Sequence, residues 1–241
     1  MIQLYNDDCI KKMKELIENG TQVDLIVVDP PYKVTSRGNG GNSGGMFQKD
    51  IVNKGNIFKH NEIDIVDWLP LLWDLLKDGS HCYIMTNNKN IYHYMKTIQE
   101  MYFHNDKKQK FHFIKNLIWV KDNKIMSQCY MSQYEYIIMI RKGFFRRINN
   151  CGISDVLYYK NKKMKNIDGK TIHDTEKPID LMKILIENSS NDGDTILDFA
   201  MGIGSTGVAC SMLENRNFIG IEIDKDYFEV AKNRINQQKN N

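Results

Sequence analysis

A short apolar run that ends in Asp-Pro-Pro-Tyr constrains this chain more than any other feature. Residues 24–28 are almost entirely apolar, which is typical of a parallel strand that is buried on both faces. Asp29 follows the run directly, and Pro30, Pro31 and Tyr32 come next. Open α/β sheets bind ligands at the carboxyl ends of their strands. The sequence therefore predicts an α/β fold with Asp29 at a ligand site.

The segment from Asp29 to Tyr32 suits a flat heterocycle that carries an amino group. Its prolines have a fixed φ and no N–H, so their carbonyl oxygens are rigid and free to accept hydrogen bonds. A carboxylate and a carbonyl that accept both amine hydrogens direct the nitrogen lone pair toward an electrophile, while the aromatic ring stacks on the heterocycle. This is the chemistry of amino methylation of a nucleobase. A tight turn that closes the strand would place the same prolines here.

A second motif near the carboxyl end predicts a strand, a glycine loop and a helix. Residues 195–198 are strand-like, and Gly202 and Gly204 allow the backbone to approach a ligand closely. The helix that follows offers unpaired N–H groups at its start. A further strand, 217–222, ends in an acidic residue about twenty positions after the loop, the spacing expected for a carboxylate that binds ribose hydroxyls.

The same glycines satisfy the dinucleotide fingerprint G-x-G-x-x-G, so an NAD-dependent oxidoreductase is an alternative. That fingerprint usually lies early in a chain, with several further βα units after it. Only 34 residues follow Gly207, which is too few for a second nucleotide-binding half. The sequence context therefore disfavours this alternative.

Together, these residues resemble the S-adenosylmethionine-dependent DNA amino-methyltransferases, in the beta group, whose catalytic tetrapeptide precedes the glycine loop. The resemblance implies a circularly permuted, Rossmann-like class I methyltransferase fold. It is an α/β fold with a three-layer, doubly wound, mostly parallel sheet of seven strands. The strands after Asp194 are expected in the middle of the sheet, beside the strand that ends at Asp29. The strands expected are 2–5, 24–28, 80–86, 114–120, 134–141, 195–198 and 217–222.

The resemblance also implies the site residues. Catalysis is assigned to Asp29, Pro30, Pro31 and Tyr32, and the cofactor is S-adenosyl-L-methionine. The acidic residue after the first strand is expected near the cofactor adenine, and the segment 173–178 is expected to close over its methionine end. The cofactor-binding residues implied are Asp8, Cys9, Asp29, Lys177, Asp198, Gly202, Gly204, Ser205, Thr206, Glu222 and Ile223.

Basic residues are concentrated in one part of the chain. Residues 101–170 hold 15 Lys and Arg against 5 Asp and Glu, whereas the rest of the chain holds 18 against 25. Such a segment is typical of a phosphate-binding face, although a solvated face that binds nothing has the same composition. Beside a base-modifying motif it predicts contact with double-stranded DNA. The residues predicted to bind DNA are Arg37, Arg141, Lys142, Arg146, Arg147, Lys160, Lys162, Lys163 and Lys165.

The chain is predicted to form a single methyltransferase domain over residues 1–241. Residues 33–62 are rich in glycine and are predicted to be a mobile insertion loop that orders over DNA, with a disordered insertion as the alternative. Residues 144–170 are irregular and basic and are the candidate target-recognition element. Helices are predicted over 8–18, 64–77, 90–101 and 178–187.

Several protein classes are disfavoured by composition. The five cysteines are scattered and form no C-x-x-C pair, which favours reduced thiols in a cytoplasmic protein over a zinc cluster. The six histidines show no metal-ligand spacing, so no metal is predicted. No apolar run reaches membrane-spanning length, and the first residues lack the features of a signal peptide.

The resemblance favours adenine N6 as the methylated atom. Cytosine-N4 enzymes on this scaffold usually carry Ser where this chain has Asp29. The target base is expected to be flipped out of the duplex. An RNA adenine methyltransferase and an inactive DNA-binding subunit stay open as alternatives. A homodimer and a cognate restriction endonuclease are further partners that the resemblance leaves open.

Overall fold

A sheet of eight strands runs through the part of the protein that the computed structural model describes. The described residues are 1–31, 63–104, 106–126, 129–166, 168–169, 171–173 and 175–239. The strands are β1 (Ile2–Asn6), β2 (Val23–Val28), β3 (Leu76–Thr86), β4 (His112–Ile125), β5 (Ser132–Arg141), β6 (Val156–Tyr158), β7 (Thr195–Asp198) and β8 (Asn217–Glu222). Their order is β1-β8-β7-β2-β3-β5-β4-β6. Only β5 is antiparallel to its neighbours.

Helices cover both faces of this sheet. They are α1 (Cys9–Glu18), α2 (Ile65–Leu75), α3 (Ile91–Glu100), α4 (Ile179–Ser189), α5 (Ser205–Ser211) and α6 (Lys225–Lys239). The first three pack on one face, where Trp68 and Ile26 share a core, and the last three pack on the other, where Leu181 and Leu25 share a second core. Because β2 contributes to both cores, its side chains are apolar at nearly every position.

The structure confirms the three-layer fold and the permuted strand order, since β7 lies directly beside β2. It corrects the strand count from seven to eight. The additional strand, β6, lies inside the segment 144–170 that was expected to be irregular, and it pairs with the edge strand β4. The predicted insertion loop 33–62 lies outside the described residues. Among the described residues, no helix has the length and apolar character that spanning a bilayer requires.

The sheet topology brings the two sequence motifs to one edge. Asp29 follows the end of β2, and the glycine loop follows the end of β7. Glu222 ends β8, which pairs with β7 in parallel. Since parallel strands present their carboxyl ends on the same side of a sheet, all three lie at one edge.

Candidate active site at the carboxyl edge of the sheet

A cleft of about 490 Å³ opens at this edge. Its volume falls within the range of roughly 300–1,000 Å³ that is typical of small-ligand sites. Pro30 and Pro31 line it, whereas Tyr32 and Arg37 lie outside the described residues. The predicted cofactor-binding residues that line it are Asp8, Cys9, Asp29, Lys177, Asp198, Gly202, Ser205, Thr206, Glu222 and Ile223.

The Asp29 carboxylate has two unlike oxygens. Oδ2 accepts a hydrogen bond from the Lys177 ammonium, whereas Oδ1 is buried and has no hydrogen-bond partner among the described residues. Burial raises the pKa of Asp29, and Lys177 opposes that rise. The Lys177 ammonium therefore favours the ionised form of a carboxyl whose burial disfavours it.

Asp198 holds the glycine loop in place. Its Oδ2 accepts a hydrogen bond of 2.6 Å from the Thr206 hydroxyl, and its Oδ1 accepts one of 3.1 Å from the Ala200 N–H. Burial raises the pKa of Asp198 to about 7. The sequence predicts both Asp198 and Thr206 as cofactor ligands. In the structure they line the cleft and also bond to each other, so part of their role is to shape the loop.

The two loop glycines are needed for different reasons. Gly202 has φ +53°, and a Cβ there would lie 3.2 Å from the His173 ring nitrogen Nε2. Gly204 has φ +81°, and a Cβ there would lie 2.9 Å from the Cβ of Ala231 on α6. The space that the missing Cβ of Gly204 leaves is filled by α6. Binding of the cofactor by Gly204 stays a prediction.

Glu222 accepts hydrogen bonds from the backbone N–H groups of two residues that line the cleft. Its Oε2 accepts from Gly202 at 2.8 Å, and its Oε1 accepts from Asp224 at 2.9 Å. Burial raises the pKa of this carboxyl. Each carboxylate oxygen has a further lone pair, so these bonds leave acceptor capacity for hydroxyl groups.

Sequence reasoning missed a linkage between the glycine loop and the basic segment. Arg234 donates to the carbonyl of Ile203 at 2.7 Å and to Glu176 Oε1 at 2.8 Å. Glu176 Oε2 in turn accepts from the N–H of Met164 at 2.5 Å. Glu176 lies in the segment 173–178, whose position in the sequence could have indicated it. Arg234 is one of several basic residues on a polar helix, and no pattern distinguishes it.

Four of the predicted DNA-binding lysines lie at the same edge of the sheet as the cleft. The segment 160–165 follows β6, which is parallel to β4, so it emerges at the carboxyl edge. Lys163 donates to the carbonyl oxygen of Glu176 at 2.5 Å, and burial lowers its pKa to about 8. Lys160, Lys162 and Lys165 are exposed. Their placement suits contact with a polymer that lies over the cleft.

The other basic group lies at the opposite edge of the sheet. Arg141 pairs with His81 in β3 and with His112, the first residue of β4. Lys142 donates to the carbonyl oxygens of Trp73 and Leu76, where α2 meets β3, at 2.5 and 2.7 Å, and Arg146 contacts Asp194 at 3.5 Å. The structure therefore does not bring Arg141, Lys142, Arg146 and Arg147 to the cleft. DNA contact by these four stays a prediction without support from their placement.

Among the described residues, no group of three or more His, Cys, Asp or Glu side chains is arranged to hold a metal ion. The five cysteines are free thiols. Burial raises the pKa of Cys9, which lines the cleft, to about 12, so this thiol is protonated and a poor nucleophile at neutral pH.

Comparisons with known proteins agree with this geometry. A family model described as DNA methylase matches residues 23–233. The Type II methyltransferase M2.MboI of Moraxella bovis is 29% identical over 97% of this chain and 87% of its own length. The Type II methyltransferase M.HinfI of Haemophilus influenzae is 26% identical over 99% of this chain and 69% of its own length.

Solved structures share the fold. The crystal structure of an M1.HpyAVI–SAM complex has a TM-score of 0.70 and 26% identity, covering 97% of this chain and 100% of that one. The cytosine-N4-specific PvuII DNA methyltransferase has a TM-score of 0.69 and 14% identity, covering 99% of this chain and 91% of that one. At that identity the second comparison supports the fold alone.

Proposed function

The chain belongs to the DNA methylase family, and from this membership we propose that it methylates the N6 amine of adenine in double-stranded DNA. Methyltransferases of this family use S-adenosylmethionine. The observation that carries the proposal is the buried Oδ1 of Asp29 at the cleft, which has no hydrogen-bond donor among the residues that the structure describes. The exocyclic amine of a base would supply such a donor.

The cleft fits the cofactor in size and charge. It is lined by several carboxylates, which suit a ligand with a sulfonium and an ammonium group. Glu222 would accept hydrogen bonds from the ribose hydroxyls, and Asp8 and Ile223 would lie toward the adenine. Lys177 would lie toward the methionine carboxylate. When bound, S-adenosylmethionine supplies an electrophilic methyl group.

The residues of the chain orient the acceptor amine. Asp29 Oδ1 and the carbonyl oxygen of Pro30 accept its two hydrogens, so the nitrogen lone pair points toward the methyl donor. Tyr32, which lies outside the described residues, stays the predicted stacking partner of the base. A base inside a duplex cannot reach this position, so it is flipped out at a cost of a few kcal/mol. Holding both reactants in one geometry provides much of the acceleration.

The assignment to adenine is supported by the residue type at position 29. The chain has Asp there, whereas the related cytosine-N4 enzymes usually have Ser. A homodimer, a cognate restriction endonuclease and a cytoplasmic location stay predictions.

The base assignment is tested by product analysis. The purified protein is incubated with S-adenosylmethionine and mixed-sequence duplex DNA, and the DNA is digested to nucleosides that are identified by mass and retention time. We expect N6-methyladenine. N4-methylcytosine alone would overturn the base assignment and leave the enzyme class intact, whereas methylation of RNA but not of duplex DNA would overturn the DNA substrate.

The placement of the basic residues predicts which of them bind DNA. Replacing the exposed Lys160, Lys162 and Lys165 by glutamine should weaken binding to all DNA sequences and reduce the slope of log K against log salt by about 0.9 per lost phosphate contact. A matched control removes the same charge at the opposite edge by replacing three exposed residues: Lys107 and Lys108, which precede the amino end of β4, and Arg147, which follows β5. Equal changes of slope in both variants would show that the cleft side is not the DNA-binding face.

A further inference from the structure

Four charged side chains form a row that ends at the catalytic cleft. Lys121 on β4 makes an ion pair with Glu135 on β5, and Glu135 Oε2 lies 3.6 Å from the Lys177 ammonium. Lys177 in turn pairs with Asp29 at the end of β2. The residues Lys121 and Lys177 are only 5% and 6% exposed. The row therefore alternates in charge and spans three strands and the segment before α4.

Burial of such charges is costly unless each is paired. Within the row, two ammonium groups alternate with two carboxylates, so each member has an opposite charge beside it. Lys121 and Glu135 are not among the residues that line the cleft, whereas Lys177 and Asp29 are. Lys121 and Glu135 are therefore placed to act on Lys177 and Asp29 without contacting a ligand.

We propose that Glu135, anchored by Lys121, positions the Lys177 ammonium and through it sets the orientation and ionisation of the Asp29 carboxylate. This inference rests on the proposed function, in which Asp29 accepts the amine. Because Lys177 binds Oδ2, Oδ1 is left without a donor among the described residues. Because Glu135 lies 3.6 Å from the same ammonium, Lys177 is shared between two carboxylates. Lys121 and Glu135 are thus positioning residues.

The charged groups around Asp29 determine the direction in which each of them moves its pKa. Burial and the Glu135 carboxylate raise the pKa of Asp29, and the Lys177 and Lys163 ammonium groups lower it. Asp198 is a further carboxyl close enough for the two charges to interact. Asp29 works in its ionised form, so activity falls when the pH drops below its pKa. The acid limb of kcat/KM reports this pKa in the free enzyme.

Two substitutions in the row should move this limb in opposite directions. Glu135→Gln removes a carboxylate that raises the pKa of Asp29, so the acid limb should move to lower pH by about one unit, the scale on which a nearby charge acts. Lys121→Met removes the ammonium group that is paired with Glu135, so Glu135 interacts more strongly with Lys177. The acid limb should then move to higher pH. Both variants should lower kcat more than they change KM for the cofactor.

A second ion pair, outside the row and with a buried carboxylate, is the control. Asp24 lies on the same strand as Asp29 and accepts a hydrogen bond from Lys77 at 2.7 Å, at the opposite edge of the sheet. Asp24→Asn should lower the melting temperature and leave the acid limb unmoved. If Glu135→Gln is too unstable to assay, Lys121→Met and the neutral double variant Lys121→Met with Glu135→Gln still test the direction of the shift.

The outcomes separate this inference from the proposed function. In one outcome, Asp29→Ala is inactive, but the acid limb of kcat/KM falls at the same pH in wild type, Glu135→Gln and Lys121→Met. The row would then have only a structural role, and only this inference would fail. If Asp29→Ala is fully active, the proposed function fails. Opposite shifts in the two variants would support the positioning role.

Discussion

Replacing Asp29 by alanine is expected to reduce methyl transfer by at least about a hundredfold, which corresponds to about 2.7 kcal/mol of transition-state stabilisation. The reason is that Oδ1 of Asp29 is a buried acceptor with no partner in the described part of the chain, so its loss leaves the target amine unoriented. Cofactor binding should fall far less, because Glu222 and the glycine loop are unchanged. Single-turnover methylation and calorimetry with S-adenosylmethionine measure the two effects separately.

Asp29→Asn is the matched variant for this experiment. It keeps the shape of the side chain, replaces one acceptor oxygen by a donor and removes the charge that pairs with Lys177. We expect it to be nearly as inactive as the alanine variant. Turnover above a tenth of the wild-type value in either variant would contradict the catalytic assignment of Asp29.

The position of the site could be predicted because its signals are local. The runs that end at Asp29 and Asp198 are apolar and short; two prolines follow the first, and Gly202 and Gly204 follow the second within six residues. Each motif therefore identifies a strand end, and the carboxyl ends of parallel strands meet at one edge. Their direct adjacency in the sheet followed from the family resemblance, since no local pattern states that β7 pairs with β2.

The basic residues show what a count of charges leaves out. Arg141 and Lys160 belong to one basic segment of the sequence, yet they lie at opposite edges of the sheet. The cause is strand direction. Because β5 is antiparallel, its carboxyl end carries Arg141 and the residues after it away from the cleft. A charge count cannot separate the two groups, and the direction of an edge strand depends on long-range pairing.

The row of four charged residues could not be predicted from the sequence either. Glu135 meets Lys121 only through the register of β4 and β5, in which Trp119 pairs with Glu135. A shift of one residue would place Glu135 on the other face of the sheet. Strand β6 is a similar case. Its three residues do not alternate between apolar and polar, so the sequence does not indicate a strand, which forms by pairing with β4.

Replacing Gly204 by alanine is expected to weaken cofactor binding by at least about tenfold, or about 1.4 kcal/mol. A Cβ at this position would lie 2.9 Å from the Cβ and 3.1 Å from the Cα of Ala231, so either α6 or the glycine loop must move. Movement of the loop disturbs Gly202, whose N–H is bonded to Glu222. We therefore expect the effect on the cofactor to be transmitted through the packing of Gly204 against α6.

Gly193 offers a control for backbone strain. Its φ of +84° nearly equals the +81° of Gly204, but a Cβ there has nothing within 4 Å. Gly193→Ala should therefore show only the cost of a left-handed alanine, about 1 to 2 kcal/mol of folding stability, with unchanged affinity for S-adenosylmethionine. Calorimetric titration and melting temperatures of both variants test this. Equal affinity of the two variants would mean that the contact between Gly204 and α6 does not support the cofactor site.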